Sequence, residues 1–323
     1  MNDKKGLIAQ FEHKTILVVG DVMVDSYQIG RVDRISPEAP VPIVLLNKVE
    51  NRLGGAANVA LNITSLGGEA ILCSVIGNDD NGNLFKKVMT KENLSISGIL
   101  SSTERKTTIK SRIFSSGQQL LRVDDEDGHF LSQDEEKAFL QQVFAVLKGT
   151  EVDVILFQDY NKGVLTEKVI KKLIEYAQSN GIQTVVDPKW THFFAYKGVT
   201  LFKPNLKEIS EAMGQNIEPN KEHLDIAAEE LVQKMSFEHL FVTLSEKGLY
   251  VQNKTGSFLM PTTTQTVADV SGAGDTVISV IALGVACGAE MYEIAELSNK
   301  AAGIVCSKLG VVPILKEELE KGE

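Results

Sequence analysis

The residues best suited to chemistry concentrate in the string DVSGAGD at 269–275. There Gly272, Ala273 and Gly274, all without bulk, precede Asp275 and an apolar helical run over 276–286. A helix start exposes N–H groups that lack intrahelical acceptors and carries the positive end of the helix dipole, so a phosphate can approach the backbone closely there. Asp275 is then a carboxylate that the helix end is expected to hold ionised, within reach of a group that gives or receives a phosphoryl. An ordinary helix N-cap fits the same seven residues equally well.

Other polar groups recur after apolar runs. Asp21 and Asp25 follow the run TILVVG at 15–20, and Gly54 and Gly55 open a helical pattern containing Asn58, whose amide suits a sugar hydroxyl. The strings DYNKG at 159–163, DPK at 187–189 and PNLKE at 204–208 each follow a short apolar stretch. Each alone reads as a solvated loop. Their repetition fits the edge of an open α/β sheet, where ligands bind at the carboxyl ends of strands.

The elements behind them follow from periodicity. Strands are predicted at 15–20, 70–76, 152–157, 183–187, 200–203 and 239–243, with helices at 83–91, 133–147, 166–179 and 290–308. Such alternation demands a mainly parallel sheet with helices on both faces. Pieces at 249–252 and 257–260 read as antiparallel edge strands. Two excursions leave this body: 26–46, broken by Pro37, Pro40 and Pro42, and 96–124, where two β-rich pieces flank SSGQ at 115–118 as in a hairpin. They are expected to pair into one β lid over a cleft and to bury the lid's other face against a second copy of the chain.

Composition narrows the classes. The 323 residues are 43% hydrophobic, enough for a substantial core, and 33 basic against 43 acidic residues give a net charge of −10, which disfavours nucleic acid and acidic membranes as partners. Met1 to Gln10 lacks a signal-peptide apolar core and no run is long enough for a bilayer, so a cytoplasmic protein is expected. Cys73, Cys287 and Cys306 lie apart in apolar stretches, and the five histidines form no cluster, so neither disulfides nor zinc are expected. No G-x-x-x-x-G-K-[ST] string occurs, and 272–277 does not complete G-x-G-x-x-G.

Taken together, Gly-Gly-x-x-Asn at 54–58, Asn-x-x-Glu at 205–208 and Gly-Ala-Gly-Asp at 272–275 resemble the ribokinase-like (PfkB) carbohydrate kinases along the whole chain. Ser271 stands where that family usually has threonine and keeps the hydroxyl. GDVMVD at 20–25, RISPEAPVP at 34–42, GGAANVA at 54–60 and QQLLR at 118–122 are similar to bacterial heptose 7-phosphate kinases, which supply ADP-heptose for lipopolysaccharide. The resemblance implies a single three-layer α/β/α domain over 1–323 with a mainly parallel sheet and lid segments at about 22–46 and 96–124. It implies ATP, Mg²⁺ and a phosphosugar as ligands, K⁺ as a candidate further ion, a homodimer through the lid, and a separate nucleotidyltransferase for the next step.

Carried over residue by residue, the resemblance makes Asp275 the base and Gly272, Ala273 and Gly274 the anion hole. Asp25, Gly54, Gly55 and Asn58 fall on the sugar, and Asn205 and Glu208 organise Mg²⁺ through the nucleotide phosphates. Thr243, Ser245 and Gly248 line the nucleotide with Lys203 near them, and Asp269 adjoins a monovalent-cation site. Arg122, Lys162 and Lys189 are expected to converge on the phosphate already present on the sugar. A kinase for fructose 1-phosphate or tagatose 6-phosphate, and a sensing module without turnover, are the alternatives. The chemistry is consistent with transfer through a loose transition state, which needs positioning and charge neutralisation before late proton removal.

Overall fold

The computed structural model describes residues 4–262, 267–308 and 310–321. Met1, Asn2 and Asp3, within the segment read above for a signal peptide, lie outside them. The strands, in chain order, begin with β1 (Thr15–Gly20), β2 (Val22–Ile35), β3 (Pro42–Gly55), β4 (Glu69–Gly77), β5 (Ile99–Ser102), β6 (Ile109–Ser115) and β7 (Gln118–Asp125). After them come β8 (Val154–Gln158), β9 (Gln183–Asp187), β10 (Leu201–Phe202), β11 (His239–Thr243), β12 (Leu249–Asn253) and β13 (Gly256–Met260). The helices are α1 (Lys4–Gln10), α2 (Ala56–Ser65), α3 (Asp80–Lys91), α4 (Gln133–Gly149) and α5 (Glu167–Asn180). They continue with α6 (Leu206–Met213), α7 (Lys221–Met235), α8 (Ala273–Ala286), α9 (Met291–Cys306) and α10 (Lys316–Lys321).

The larger sheet has the order β13-β12-β11-β10-β9-β8-β1-β4-β5, parallel from β11 to β5 and antiparallel at the β12–β13 edge. In β1 the side chains alternate between two cores. Ile16 and Val18 join Val59, Phe85, Ile278 and Ile294 on one face, while Leu17 and Val19 join Phe139, Val169, Leu173 and Leu231 on the other. A strand covered on both sides must be apolar throughout, which is why TILVVG shows no alternation, and each such buried side chain contributes roughly 1.5–3 kcal/mol. The helix ends are marked as their sequence suggests: Thr166 caps α5 through the Val169 N–H, and Gly181 ends it in a left-handed conformation. The segment 206–235 holds α6 and α7, and the spacing of Leu224, Ala227, Ala228, Leu231 and Met235 gives α7 its buried face.

The second sheet, β3-β2-β6-β7, joins the two excursions through the parallel pair β2–β6. Ser116 and Gly117, both with positive φ, close the β6–β7 hairpin. Two boundaries differ from expectation. The first excursion reaches Gly55, not residue 46, because β3 stays paired with β2 along its length, from Ile35↔Pro42 to Val22↔Gly55. In the second, β5 (Ile99–Ser102) pairs with β4 in the main sheet, so only β6 and β7 belong to the lid. No helix among the described residues is long and apolar enough to cross a membrane.

Gly20 ends β1 against β8, where a Cβ would fall on the Gln158 carbonyl oxygen. Gly20→Ala should therefore lower the unfolding free energy by about 1–3 kcal/mol, read as a reduced urea midpoint at unchanged slope. A wild-type midpoint would contradict this packing.

Candidate active site

The N-terminus of α8 faces the carboxyl ends of the central strands. Gly272 precedes the helix with φ 82° and makes no side-chain cap. Among the described residues the N–H groups of Gly272, Gly274 and Asp275 find no protein acceptor, whereas Ala273 donates to the Val270 carbonyl at 3.2 Å. Ala273 thus supplies smallness and not an N–H, a correction to its expected share in the anion hole. A Cβ built on Gly274 would meet open space.

Asp275 is 6% exposed and receives donors from three parts of the chain. Asn58 Nδ2 in α2 donates to Oδ2 at 2.7 Å, while the Tyr160 hydroxyl at 2.6 Å and Gln158 Nε2 at 3.3 Å donate to Oδ1. Its carboxyl is pushed up to about 6, first by burial and further by Asp187, against the pull of Asn58, Tyr160 and Lys203. A group at about 6 is still mainly ionised at neutral pH, but burial leaves it a much weaker acid than a free aspartate. The Asn58 amide nitrogen thus gives one of its N–H groups to Asp275.

On the neighbouring strand ends, Asp187 closes β9 and pairs with buried Lys203 at 3.1 Å. Lys189 Nζ bonds Glu208 Oε1 and lies 3.8 Å from Asp187 and 5.9 Å from the Tyr160 ring centre. Burial opposes the Lys189 charge, yet Asp187 and Glu208 raise its pKa above the ordinary lysine value. Asn205 and Glu208 form a reciprocal capping box at α6: Asn205 Oδ1 accepts from the Glu208 N–H and Glu208 Oε2 from the Asn205 N–H, both at 2.8 Å. A backbone bridge joins Asn205 to Thr243, and Leu244 N–H bonds the Gly248 carbonyl at 2.8 Å, so Asn205, Thr243, Ser245 and Gly248 share one edge.

On the lid side, Asp25 in β2 pairs with Arg112 in β6. Gly54 is required there, because a Cβ would strike the Asp25 carboxylate, and Gly55 turns the chain into α2 at φ 61°. The three cations expected to converge do not. Lys162 pairs with Glu126 at 2.6 Å, Lys189 lies with Glu208, and Arg122, half exposed, pairs with Asp124 at 2.9 Å. Each found a local carboxylate first. Asp269 accepts the Ser271 and Gly310 N–H groups, both at 2.9 Å, and although burial opposes it these bonds hold its carboxyl below the usual range.

The model of the pfkB family of carbohydrate kinases matches residues 13–317. The chain belongs to this family. It is 40% identical over 304 residues to the bifunctional protein HldE of Citrifermentans bemidjiense and 42% identical over 307 to that of Methylobacillus flagellatus, covering 94% and 95% of this chain. In both cases the chain spans 62% of the relative's length. Among solved structures, Escherichia coli phosphofructokinase-2 in complex with potassium superposes with a TM-score of 0.79 at 21% identity, covering 96% of this chain and 97% of that one. Arabidopsis thaliana ribokinase complexed with ribose and ATP gives 0.71 at 16%, covering 95% and 98%. These likenesses show the ribokinase-like fold.

Within this carbohydrate kinase, sequence reasoning passed over Gln158, Tyr160, Asp187 and Arg112. The strings DYNKG and DPK drew attention through their lysines, but the groups that reach Asp275 or steer its charge are the neighbours of those lysines. No direct metal cage is present either: the described residues contain no cluster of three metal-ligating side chains, and both Glu208 oxygens are engaged.

Because folded Asp275 binds its proton more tightly than the unfolded chain, its contribution to stability is full below the ordinary aspartate value of 3.8 and is lost as pH rises through about 6. Asp275→Asn should therefore be more stable than wild type at pH 7.5, by roughly 2–3 kcal/mol. The gain should shrink as the pH falls through about 6 and vanish below about 3.8. Urea unfolding across this range checks it, and a gain that does not change with pH would refute the assignment.

Proposed function

We propose that this carbohydrate kinase phosphorylates the anomeric hydroxyl of D-glycero-β-D-manno-heptose 7-phosphate with ATP, giving the 1,7-bisphosphate on the way to ADP-heptose, within one cytoplasmic kinase domain. The observation that carries the catalytic part is the buried Asp275 carboxylate beside open N–H groups at the start of α8. The choice of sugar rests on the resemblance to heptose 7-phosphate kinases and on the roughly 40% identity to HldE proteins.

In this reading Asp275 accepts the proton of the attacking hydroxyl, and the N–H groups of Gly272, Gly274 and Asp275 stabilise charge on the transferred phosphoryl. Asp25, with Gly54 and Gly55 behind it, holds sugar hydroxyls. Arg112, paired with the same Asp25, is the cation that this reading sets beside the sugar for its phosphate. Asn205, Glu208, Thr243, Ser245 and Gly248 shape the nucleotide edge. Mg²⁺ bound with the nucleotide supplies neutralisation of the phosphate charge. A monovalent cation beside Asp269 belongs to the same reading, as Escherichia coli phosphofructokinase-2 is known with potassium.

Incubation with ATP, Mg²⁺ and a panel of sugar phosphates, following ADP release, should show the highest kcat/KM for heptose 7-phosphate. Asp275→Asn should lower kcat by at least about 10²-fold while both substrates still bind. Preference for fructose 1-phosphate or tagatose 6-phosphate would redirect the substrate assignment, and binding without turnover would leave a sensor.

The lid carries Ile35, Val49, Leu121 and Val123 at 60, 52, 55 and 49% exposure, more apolar surface than a free sheet face sustains. A second copy of the chain is the cover we propose, forming a two-fold dimer. Sedimentation at micromolar concentration should give the dimer mass, and a fully active monomer would reject it.

A further inference from the structure

We propose that Asp21 and the loop 159–164 form a positioning device for Asp275, with the Tyr160 hydroxyl as its working end. The proposal rests on Asp275 being the proton acceptor.

Asp21, 1% exposed, occupies the junction of β1 and β2 and spends its carboxylate on this loop alone. One oxygen accepts the N–H groups of Tyr160 at 2.9 Å and Lys162 at 3.1 Å, and the other accepts that of Val164 at 3.0 Å. Three N–H groups gathered on one buried carboxylate define the loop's path. The rest of the loop agrees with that path. Asp159 turns inward to accept the Asn161 N–H at 2.8 Å and the Tyr196 hydroxyl at 2.9 Å. Gly163 at φ 92° packs where a Cβ would collide with the His129 carbonyl. Buried Arg105 donates to the carbonyls of His129 at 2.8 Å and Lys162 at 3.3 Å, clamping the outer side.

What this scaffold delivers is a phenol hydroxyl 2.6 Å from Asp275 Oδ1. Burial and the adjacent Asp275 raise the Tyr160 pKa well above its usual range, so Tyr160 remains a donor at every working pH. The groups facing Asp275 are Asn58 from α2, Gln158 from β8, Tyr160 from the loop, Asp187 from β9 and Lys203 after β10. Burial and Asp187 favour the protonated acid, while Asn58, Tyr160 and Lys203 favour the ionised base. Taking away the hydroxyl must raise the pKa of the base, and activity that needs the ionised form then fails at a higher pH.

The test is the pH dependence of kcat/KM over roughly pH 5–9 for wild type and Tyr160→Phe, with folding checked by circular dichroism. The acid limb should move to higher pH by about one unit, as expected for a lost hydrogen bond to a charged group, with the high-pH plateau and both KM values changed only a few-fold. Asp159 is pushed up to about 7 by burial and by Asp21 and titrates in both proteins, so the difference between profiles reports Asp275. Asp21→Asn should shift the limb in the same direction, and the double variant should shift it no further than Tyr160→Phe alone, because Asp21 acts through Tyr160. An unmoved acid limb in Tyr160→Phe overturns the proposal, whether or not the plateau falls, and so does an additive double variant. Full turnover by Asp275→Asn would instead overturn the base assignment; an inactive Asp275→Asn with an unmoved Tyr160→Phe limb overturns only the positioning role.

Discussion

The carboxylate of Asp275 is removed from water and must take its solvation from the protein, and the arrangement of the rest follows from that need. An ionised group buried without donors costs several kcal/mol or neutralises itself. Here the donors come from α2, from the end of β8 and from the loop after β8, so the site exists only when those segments meet the start of α8. A parallel sheet makes the meeting possible, because its strands all end on one edge: Gly20, Gln158, Asp187 and Thr243 are the last residues of β1, β8, β9 and β11.

Around Asp275 the charges balance locally. Asp187 is shared between Lys203 and Lys189, and Glu208 between Lys189 and the cap of α6, so this sheet edge is already ordered by ion pairs and backbone bonds. The balance is incomplete by design of the fold. Asp21 and Asp159 are buried together and both carboxyls are raised, chiefly by burial, even though backbone N–H groups and Tyr196 serve them. Such a cluster lowers stability relative to a neutral core, the usual exchange at a reactive site.

The lid is connected to this centre through its root. Tyr27 in β2 is flanked by the guanidinium groups of Arg52 at 4.7 Å and Arg112 at 5.5 Å, and its hydroxyl accepts the Val311 N–H at 3.1 Å. Arg52 in turn donates to the Val311 carbonyl at 2.9 Å, while the adjacent Gly310 donates to Asp269 just before the α8 start. Lid strands, C-terminal segment and the 269–275 turn therefore form one continuous bonded unit. A shift of the lid root bears directly on the backbone that begins α8.

Sequence alone determined the layers, the parallel alternation with its antiparallel edge and the pairing of two excursions into a second sheet, and it singled out Gly54, Gly55, Asn58, Asn205, Glu208 and Asp275 as candidates, because periodicity and small residues at helix starts are local properties. Local readings failed where long-range pairing decides. The length of β3 was set by β2, the place of β5 by β4, and neither partner is visible in the strand's own residues. Lys162 and Lys189 went to Glu126 and Glu208, distant in sequence, while Arg122 took Asp124 two residues along its own strand, since a cation takes the nearest anion in space. Tyr160 and Gln158 became partners of a residue more than a hundred positions away, and the raised pKa of Asp275 came from burial at their junction. Only the tertiary structure could decide these, because desolvation and charge pairing depend on distances between segments that the order of residues does not contain.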